Sequence, residues 1–388
     1  MSTESINAKV TQRAGAVSNQ SLIKQEFRVH GFLPEQDPLT RFPPNSEFAA
    51  LDEIGRDLPS MLHDRGFRTY ARSLAIPLWP SERVLNADLP QLRLYYVRAG
   101  FLASAYINQV GEEPSKVLPA NLAVPLVRAC ELLNRPPILS YDGYALYNWK
   151  RFRENGPIAL GNIDTIQNFV HLYDEHWFIL VHVEIEAIAA RIFDAIAEAQ
   201  TAITARDSSS ADKALVAIAD AVDDEVKVLR RIPEKMDPAL YFRTFRPYIR
   251  FFENVEYETA GVSGPIRVNF RGETGAQSSI MPMLVAFMKI PHQRSILTDH
   301  LMDMRNYMPR EHRRLIEAVE AMPGVRAIAG KDSFNAVLDA MAEFRSVHYG
   351  WADQYIHRRT DDPRGTGGTP YMRWLKQLID DTLSFKID

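Results

Sequence analysis

The chain has 388 residues, of which 46% are hydrophobic and 24% are charged, a balance typical of globular proteins. Its formal net charge of -4 provides no basic surface for nucleic acid. The single cysteine, Cys130, excludes an internal disulfide and any cysteine-rich metal centre, and it fits a reducing cytoplasm. No apolar run approaches the ~20 residues that span a bilayer. We therefore expect a cytoplasmic protein with neither nucleic acid nor a membrane among its partners.

The N-terminal residues are polar and lack the apolar core of a signal peptide, so residues 1–28 are expected to form a loose tail. Residues 29–158 are expected to form a small domain, and residues 159–388 a large helical one. The boundary is placed at residues 134–162, where proline and glycine are frequent.

Helical periodicity predicts an all-α fold, with a smaller N-terminal and a larger C-terminal helical domain. The predicted helices are residues 47–64, 65–73, 89–110, 122–133, 174–206, 211–232, 238–252, 277–289, 293–307, 310–322 and 334–357. Asp174 is expected to cap the helix that it begins. Strand-like alternation is confined to residues 267–270, and the glycine-rich residues 365–369 predict a mobile, lid-like loop.

His348 lies on the apolar face of the last predicted helix. It is four residues from Phe344 and Ala352 and seven from Met341 and Tyr355, a spacing that places these side chains on one face. A buried imidazole in this position is either a hydrogen-bonded core residue or an axial ligand of a haem iron. Periodicity alone favours the core residue.

Two further groups of residues could carry chemistry. His182 and Glu186 share a helix face and could bind a metal, although a solvated stripe or a salt bridge is more usual at this spacing. Residues 241–252 combine several aromatic side chains with Arg246, which suits an aromatic amino acid that needs ring stacking and a bidentate partner for its carboxylate. The alternative is that these aromatic side chains belong to the core.

Five sequence blocks, in order, resemble the indoleamine 2,3-dioxygenase family of haem enzymes, which open the indole ring of tryptophan. The blocks are residues 116–125 (KVLPANLAVP) with 136–141 (PPILSY) and 148–149 (NW), 178–186 (FILVHVEIE), 271–279 (RGETGAQSS) with 304–309 (MRNYMP), 344–348 (FRSVH) and 365–369 (GTGGT). The resemblance extends over residues 88–382 and implies that the large domain binds haem while the small domain caps the distal pocket.

The resemblance implies a haem b site. His348 corresponds to the axial ligand of the iron, and Arg345, one helical turn earlier, corresponds to an arginine near the haem propionates. Thr274 and Gly275 correspond to a loop of small residues that passes over the haem.

The resemblance also implies a substrate site. Arg246 corresponds to the arginine that binds the substrate carboxylate, and Thr366 belongs to the mobile loop that closes over the substrate and contacts its ammonium group. The residues that correspond to the walls of the pocket are Tyr141, Tyr144, Ala145, Phe178, Tyr241 and Phe242.

Three positions depart from the family pattern. His182 stands where the mammalian enzymes have serine, so its imidazole is expected to hydrogen-bond either O2 or the indole N–H. Tyr241 replaces a phenylalanine, and Glu273 with Thr274 replaces a Gly-Ser pair. These changes leave the haem site intact and bear on the identity of the substrate.

The implied reaction inserts O2 across the indole C2=C3 bond of L-tryptophan and gives N-formylkynurenine, in the kynurenine pathway. An electron donor that keeps the iron ferrous is expected as a partner, and the protein is expected to be a monomer or a weak oligomer. Two alternatives stay open: a related haem enzyme that oxidises another indole or amino-acid derivative, and a non-catalytic haem- or gas-binding protein of the same fold.

Overall fold

The computed structural model describes residues 23–80, 85–258, 264–291, 295–362 and 364–388. Helices dominate, which confirms the predicted all-α class. They are α1 (Gln25–His30), α2 (Ala50–Met61), α3 (Phe67–Ser73), α4 (Leu85–Ile107), α5 (Ala120–Leu132), α6 (Tyr173–Ala205), α7 (Ser208–Leu229), α8 (Ile280–Met288), α9 (Ile296–Arg305), α10 (Arg310–Glu320), α11 (Lys331–Tyr355) and α12 (Tyr371–Ser384). No helix among these described residues is long and apolar enough to cross a membrane.

Two small sheets accompany the helices. Their strands are β1 (Val117–Leu118), β2 (Trp149–Arg151), β3 (Ile163–Thr165), β4 (Phe252–Tyr257) and β5 (Ile266–Phe270). Strand β4 pairs in parallel with β1 and antiparallel with β5, while β2 and β3 form an antiparallel pair. The sequence predicted only β5. Strands β1, β2 and β3 have two or three residues, too few to show alternation, whereas β4 has six and was missed.

The buried apolar residues form two clusters that meet at α6. On one side of this helix, Ile179 and Val183 join the cluster built mainly from α4 and α5. On other sides, Val181 and Ile185 join the cluster built mainly from α7, α8, α10 and α11. Helix α6 is therefore apolar on more than one side, and it buries these sides by lying between the two clusters.

The N-terminal prediction needs one correction. Residues 1–22 lie outside the described chain, but residues 25–30 form α1, which packs on α6. The Phe27 ring is 6.1 Å from that of Phe193, and Arg28 Nε donates a hydrogen bond of 2.7 Å to Asp194. The structured part of the chain therefore starts before residue 29. The apolar contacts are too few to produce a periodic signal.

Two other predictions about helices are wrong, and one helix was missed. Asp174 lies in the first turn of α6 and is not its cap; its carboxylate accepts a hydrogen bond of 2.7 Å from the Asp237 N–H. The helix predicted at residues 238–252 gives way to a π-helical turn and then to β4. Helix α12 was not predicted, and it packs against α11.

A buried acid lies between α6 and α7. Glu225 of α7 is fully buried, and neither of its carboxyl oxygens has a hydrogen-bond partner in the described chain. Burial raises the pKa of Glu225 well above its ordinary value, and the neighbouring charge of Glu186 raises it further. The folded protein therefore holds the Glu225 carboxyl in its neutral form at pH values at which the unfolded chain ionises it.

We predict that Glu225→Gln changes how stability depends on pH. Because the folded-state pKa is raised, the wild type loses stability as the pH rises above the unfolded value, by up to about 1.4 kcal/mol per pH unit. The glutamine variant lacks this loss, so its stability relative to the wild type should increase as the pH rises above the unfolded pKa of about 4.3. Urea unfolding measures the difference, with the exposed α6 residue Glu198, changed to Gln, as the control. Parallel pH profiles for wild type and Glu225→Gln would contradict the assignment.

Candidate active site

Two π-helical turns supply much of the predicted pocket wall. Tyr144 and Ala145 lie on the turn Asp142–Leu146, and Tyr241 and Phe242 lie on the turn Tyr241–Phe245. The Arg246 N–H donates a hydrogen bond of 3.1 Å to the carbonyl of Tyr241, five residues earlier, which is the π-helical pattern. Such turns are rare and are found frequently at functional sites. The sequence analysis did not predict this backbone conformation.

Phe178 of α6 brings the aromatic wall together. Its ring centroid lies 5.5 Å from that of Tyr241, 6.3 Å from Tyr144 and 4.6 Å from His182. The Tyr141 ring lies 5.9 Å from His182. Residues that are far apart in sequence therefore form one aromatic cluster.

Buried acids hold two of the wall tyrosines in place, and sequence reasoning missed both contacts. The Tyr144 hydroxyl donates a hydrogen bond of 3.1 Å to Glu175, and the Tyr141 hydroxyl donates one of 2.8 Å to Glu186. Glu186 also accepts a hydrogen bond of 2.7 Å from Ser278. Burial raises the pKa of each of these two carboxyls to about 7, and it raises those of both tyrosines well above their ordinary value. The tyrosines therefore stay neutral, with their hydroxyls fixed.

Arg246 is a buried cation without an ionic partner in the described chain. It is 5% exposed, its Nε has no hydrogen-bond partner, and its guanidinium carbon lies 5.0 Å from the centre of the Phe242 ring. Burial raises the pKa of Tyr241, while the adjacent Arg246 charge opposes the rise. A desolvated and unpaired guanidinium is a strong site for a carboxylate, which it can bind through two parallel hydrogen bonds.

His348 of α11 is a neutral imidazole that makes no hydrogen bond with any described residue, so it is not the hydrogen-bonded core histidine of the alternative interpretation. Burial lowers its pKa to about 4, and the nearby His182 lowers it further. Its ring therefore keeps a free nitrogen lone pair at neutral pH, which is what a metal ligand requires.

His182 has a defined tautomer. Its Nδ1 lies 2.7 Å from the Phe178 carbonyl oxygen, which can only accept, so Nδ1 carries the proton. Burial lowers the pKa of His182, which leaves Nε2 as an acceptor. This favours the indole N–H over O2 as its partner. Glu186, the other residue of the possible metal site, accepts hydrogen bonds from Tyr141 and Ser278. No described group of three or more His, Cys, Asp or Glu residues is arranged to hold a metal ion.

The glycine-rich loop lies against the pocket. The Phe251 N–H donates a hydrogen bond of 2.9 Å to the Thr366 carbonyl, and a Cβ added to Gly367 would be 3.5 Å from Thr274 Cγ2. Thr366 is 8% exposed. The loop is therefore in a closed position over the segment that contains Thr274.

Comparison with known proteins agrees with this arrangement. The family model described as indoleamine 2,3-dioxygenase matches residues 24–385. The chain belongs to this family. It is 29% identical to indoleamine 2,3-dioxygenase 1 of Rattus norvegicus, over 85% of this chain and 87% of that protein. It is 28% identical to indoleamine 2,3-dioxygenase of Saccharomyces cerevisiae (92% and 91%) and 30% identical to indoleamine 2,3-dioxygenase 2 of Homo sapiens (85% and 87%). The chain is therefore an oxidoreductase of the dioxygenase class.

Indoleamine 2,3-dioxygenases are in general haem-dependent, and the residues around His348 fit this cofactor. A Cβ added to Gly275 would have only His348 Nε2 within 4 Å, at 3.9 Å, so protein atoms do not crowd the space in front of the imidazole. Phe344 and Val347 are only partly buried and offer apolar contacts on the same helix. A free imidazole beside apolar side chains suits a porphyrin iron.

Arg345 is engaged by the C-terminal helix, α12. Its Nη1 donates a hydrogen bond of 2.8 Å to the Leu378 carbonyl and a second one to the Thr382 hydroxyl, both on α12. The residue is 7% exposed. Arg345 thus links α11 to α12, and its contact with a haem propionate stays a prediction.

Proposed function

We propose that this chain is a haem-dependent dioxygenase that inserts O2 across the C2=C3 bond of L-tryptophan and produces N-formylkynurenine. The observation that carries the proposal is a pair of side chains beside the aromatic wall that lack partners in the described chain. The His348 imidazole makes no hydrogen bond, and the buried Arg246 guanidinium has no ion pair and an Nε without a hydrogen-bond partner. The first fits a haem iron and the second fits an amino-acid carboxylate. The names of the relatives support an indole as the substrate.

The protein's own residues would bind and orient the substrate. His348 would hold the haem, which, once bound and reduced by an external electron donor, supplies the activation of O2. Arg246 would bind the carboxylate, and the rings of Phe178 and Tyr241 would contact the indole. The closed glycine-rich loop, through Thr366, would exclude water and fix the amino-acid end.

We predict that His348→Ala prevents stable haem binding, because it removes the nitrogen assigned to the iron. Haem titration followed by Soret absorbance tests this directly. His357→Ala, which changes an exposed histidine just beyond α11, is the matched control and should bind haem like the wild type. A His348→Ala protein that binds haem normally and retains full activity would exclude His348 as the axial ligand.

We predict that Arg246→Ala raises the KM for tryptophan by about 30- to 1000-fold, because loss of a charge-assisted pair in a dry site costs about 2–4 kcal/mol. Steady-state kinetics measure the change, and Arg243→Ala, at an exposed position of the same π-helical turn, serves as the control. If Arg246→Ala and the control have the same KM, the carboxylate binds elsewhere.

We predict that His182→Leu reduces discrimination between tryptophan and its N1-methyl analogue. In the wild type, His182 Nε2 would accept a hydrogen bond from the indole N–H, which the analogue lacks. Loss of one such bond corresponds to about a 2- to 10-fold change in the ratio of the two kcat/KM values. Because the ratio is internal to each enzyme, a general loss of activity cancels. An unchanged ratio would contradict the contact.

A further inference from the structure

Glu273 is a buried acid at the edge of the proposed substrate pocket. It is 3% exposed, and its N–H donates a hydrogen bond of 3.0 Å to the Ile249 carbonyl. The preceding residue, Gly272, lies so close to the same stretch of backbone that an added Cβ would collide with Ile249 and Arg250. The backbone that carries Glu273 is therefore held firmly against the segment that follows Arg246.

The Glu273 carboxyl forms no hydrogen bond with any residue of the described chain, and burial is the only influence on its pKa. The other two acids near the pocket differ from it, because Glu175 accepts hydrogen bonds from Tyr144 and two backbone N–H groups, and Glu186 accepts them from Tyr141 and Ser278. Burial alone raises the pKa of Glu273 to about 8. An acid that is buried without a partner is costly, and such groups are concentrated at ligand sites.

Glu273 lies near the residues of the pocket wall. Its charge contributes to the raised pKa values of Tyr141, Tyr144 and Tyr241, so it lies within electrostatic reach of three wall residues from two separate turns. Arg246 acts on Tyr241 with the opposite sign. Glu273 and Arg246 thus act on the same pocket, yet in the described chain neither forms an ion pair.

We propose that Glu273 binds the ammonium group of the substrate, so that Glu273 and Arg246 together recognise the two charges of a zwitterionic amino acid. This inference rests on the proposed function and extends it. An unpaired cation and an unpaired acid at one pocket would each gain a charge-assisted hydrogen bond from such a ligand, the acid as its carboxylate. A neutral ligand would leave both of them unsatisfied.

Binding of the substrate should also release a proton from Glu273 to the solvent. Near pH 7, the empty site holds Glu273 neutral, and an incoming ammonium group favours the carboxylate, so binding should release up to about one proton. The charged and titratable groups nearby are Arg246 and three tyrosines, Tyr141, Tyr144 and Tyr241, whose raised pKa values keep them neutral.

Binding of three ligands to the haem-loaded, full-length protein without O2 tests the proposal. The ligands are tryptophan, tryptamine (which lacks the carboxylate) and indole-3-propionate (which lacks the ammonium group). Glu273→Gln should weaken tryptophan and tryptamine about 10- to 100-fold and leave indole-3-propionate within about 2-fold of the wild type. Arg246→Ala should spare tryptamine and weaken the other two ligands. Glu112→Gln, at an exposed loop residue, is the control.

Retained binding of indole-3-propionate shows that the Glu273→Gln pocket is folded. Calorimetry in buffers of different ionisation enthalpy should detect proton release when the wild type binds tryptophan and little release for Glu273→Gln. Equal affinities of wild type and Glu273→Gln for tryptophan and tryptamine would overturn the Glu273 assignment and leave the proposed function intact. A wild type that binds none of the three ligands would overturn both.

Discussion

A polar group that leaves water must find a partner, and this constraint explains the arrangement of the pocket. The wall tyrosines obey it, since Tyr144 donates to Glu175 and Tyr141 donates to Glu186. Three other groups lack such a partner within the described chain. They are the His348 imidazole, the Nε of Arg246 and the Glu273 carboxyl. A haem iron, a carboxylate and an ammonium group are the chemical complements of these three side chains. A bound haem would supply the first, and an amino-acid substrate would supply the other two.

Helix α6 has three different faces, and one of them forms part of the pocket wall. Two of them are apolar and join separate core clusters. A third stripe has Phe178, His182 and Glu186 at intervals of four residues and faces the pocket. The cores therefore fix the helix rigidly from both sides. The pocket wall shares this rigidity, because Tyr144 belongs to one cluster and Tyr241 to the other, and Phe178 packs against both.

The long elements of the fold were predictable from the sequence. The apolar spacing in α6, α7 and α11 is sustained over many turns, so their existence follows from periodicity, and the ends differ from prediction by only a few residues. The position of His348 on the inner face of α11 followed from the same spacing. Its role did not, because periodicity cannot distinguish a bonded imidazole from a free one.

The parts that sequence reasoning missed depend on contacts between distant segments. A π-helical turn adds one residue to a helical turn and leaves no mark in composition, so the conformations at Tyr144 and Tyr241 were unpredicted. His182 and Glu186 share a face, as their spacing predicts, but each binds a different partner. The difference between the satisfied Glu186 and the unsatisfied Glu273 likewise depends on side chains from other elements.

The most direct test of the central claim is a turnover experiment with L-tryptophan and 18O2, using the reduced, haem-loaded protein. Mass spectrometry of the product then counts the labelled oxygen atoms. N-formylkynurenine in which both inserted oxygen atoms are 18O is the predicted result. A product with one labelled oxygen atom would indicate a monooxygenase. The absence of any tryptophan-derived product from the reduced, haem-loaded protein would contradict tryptophan cleavage.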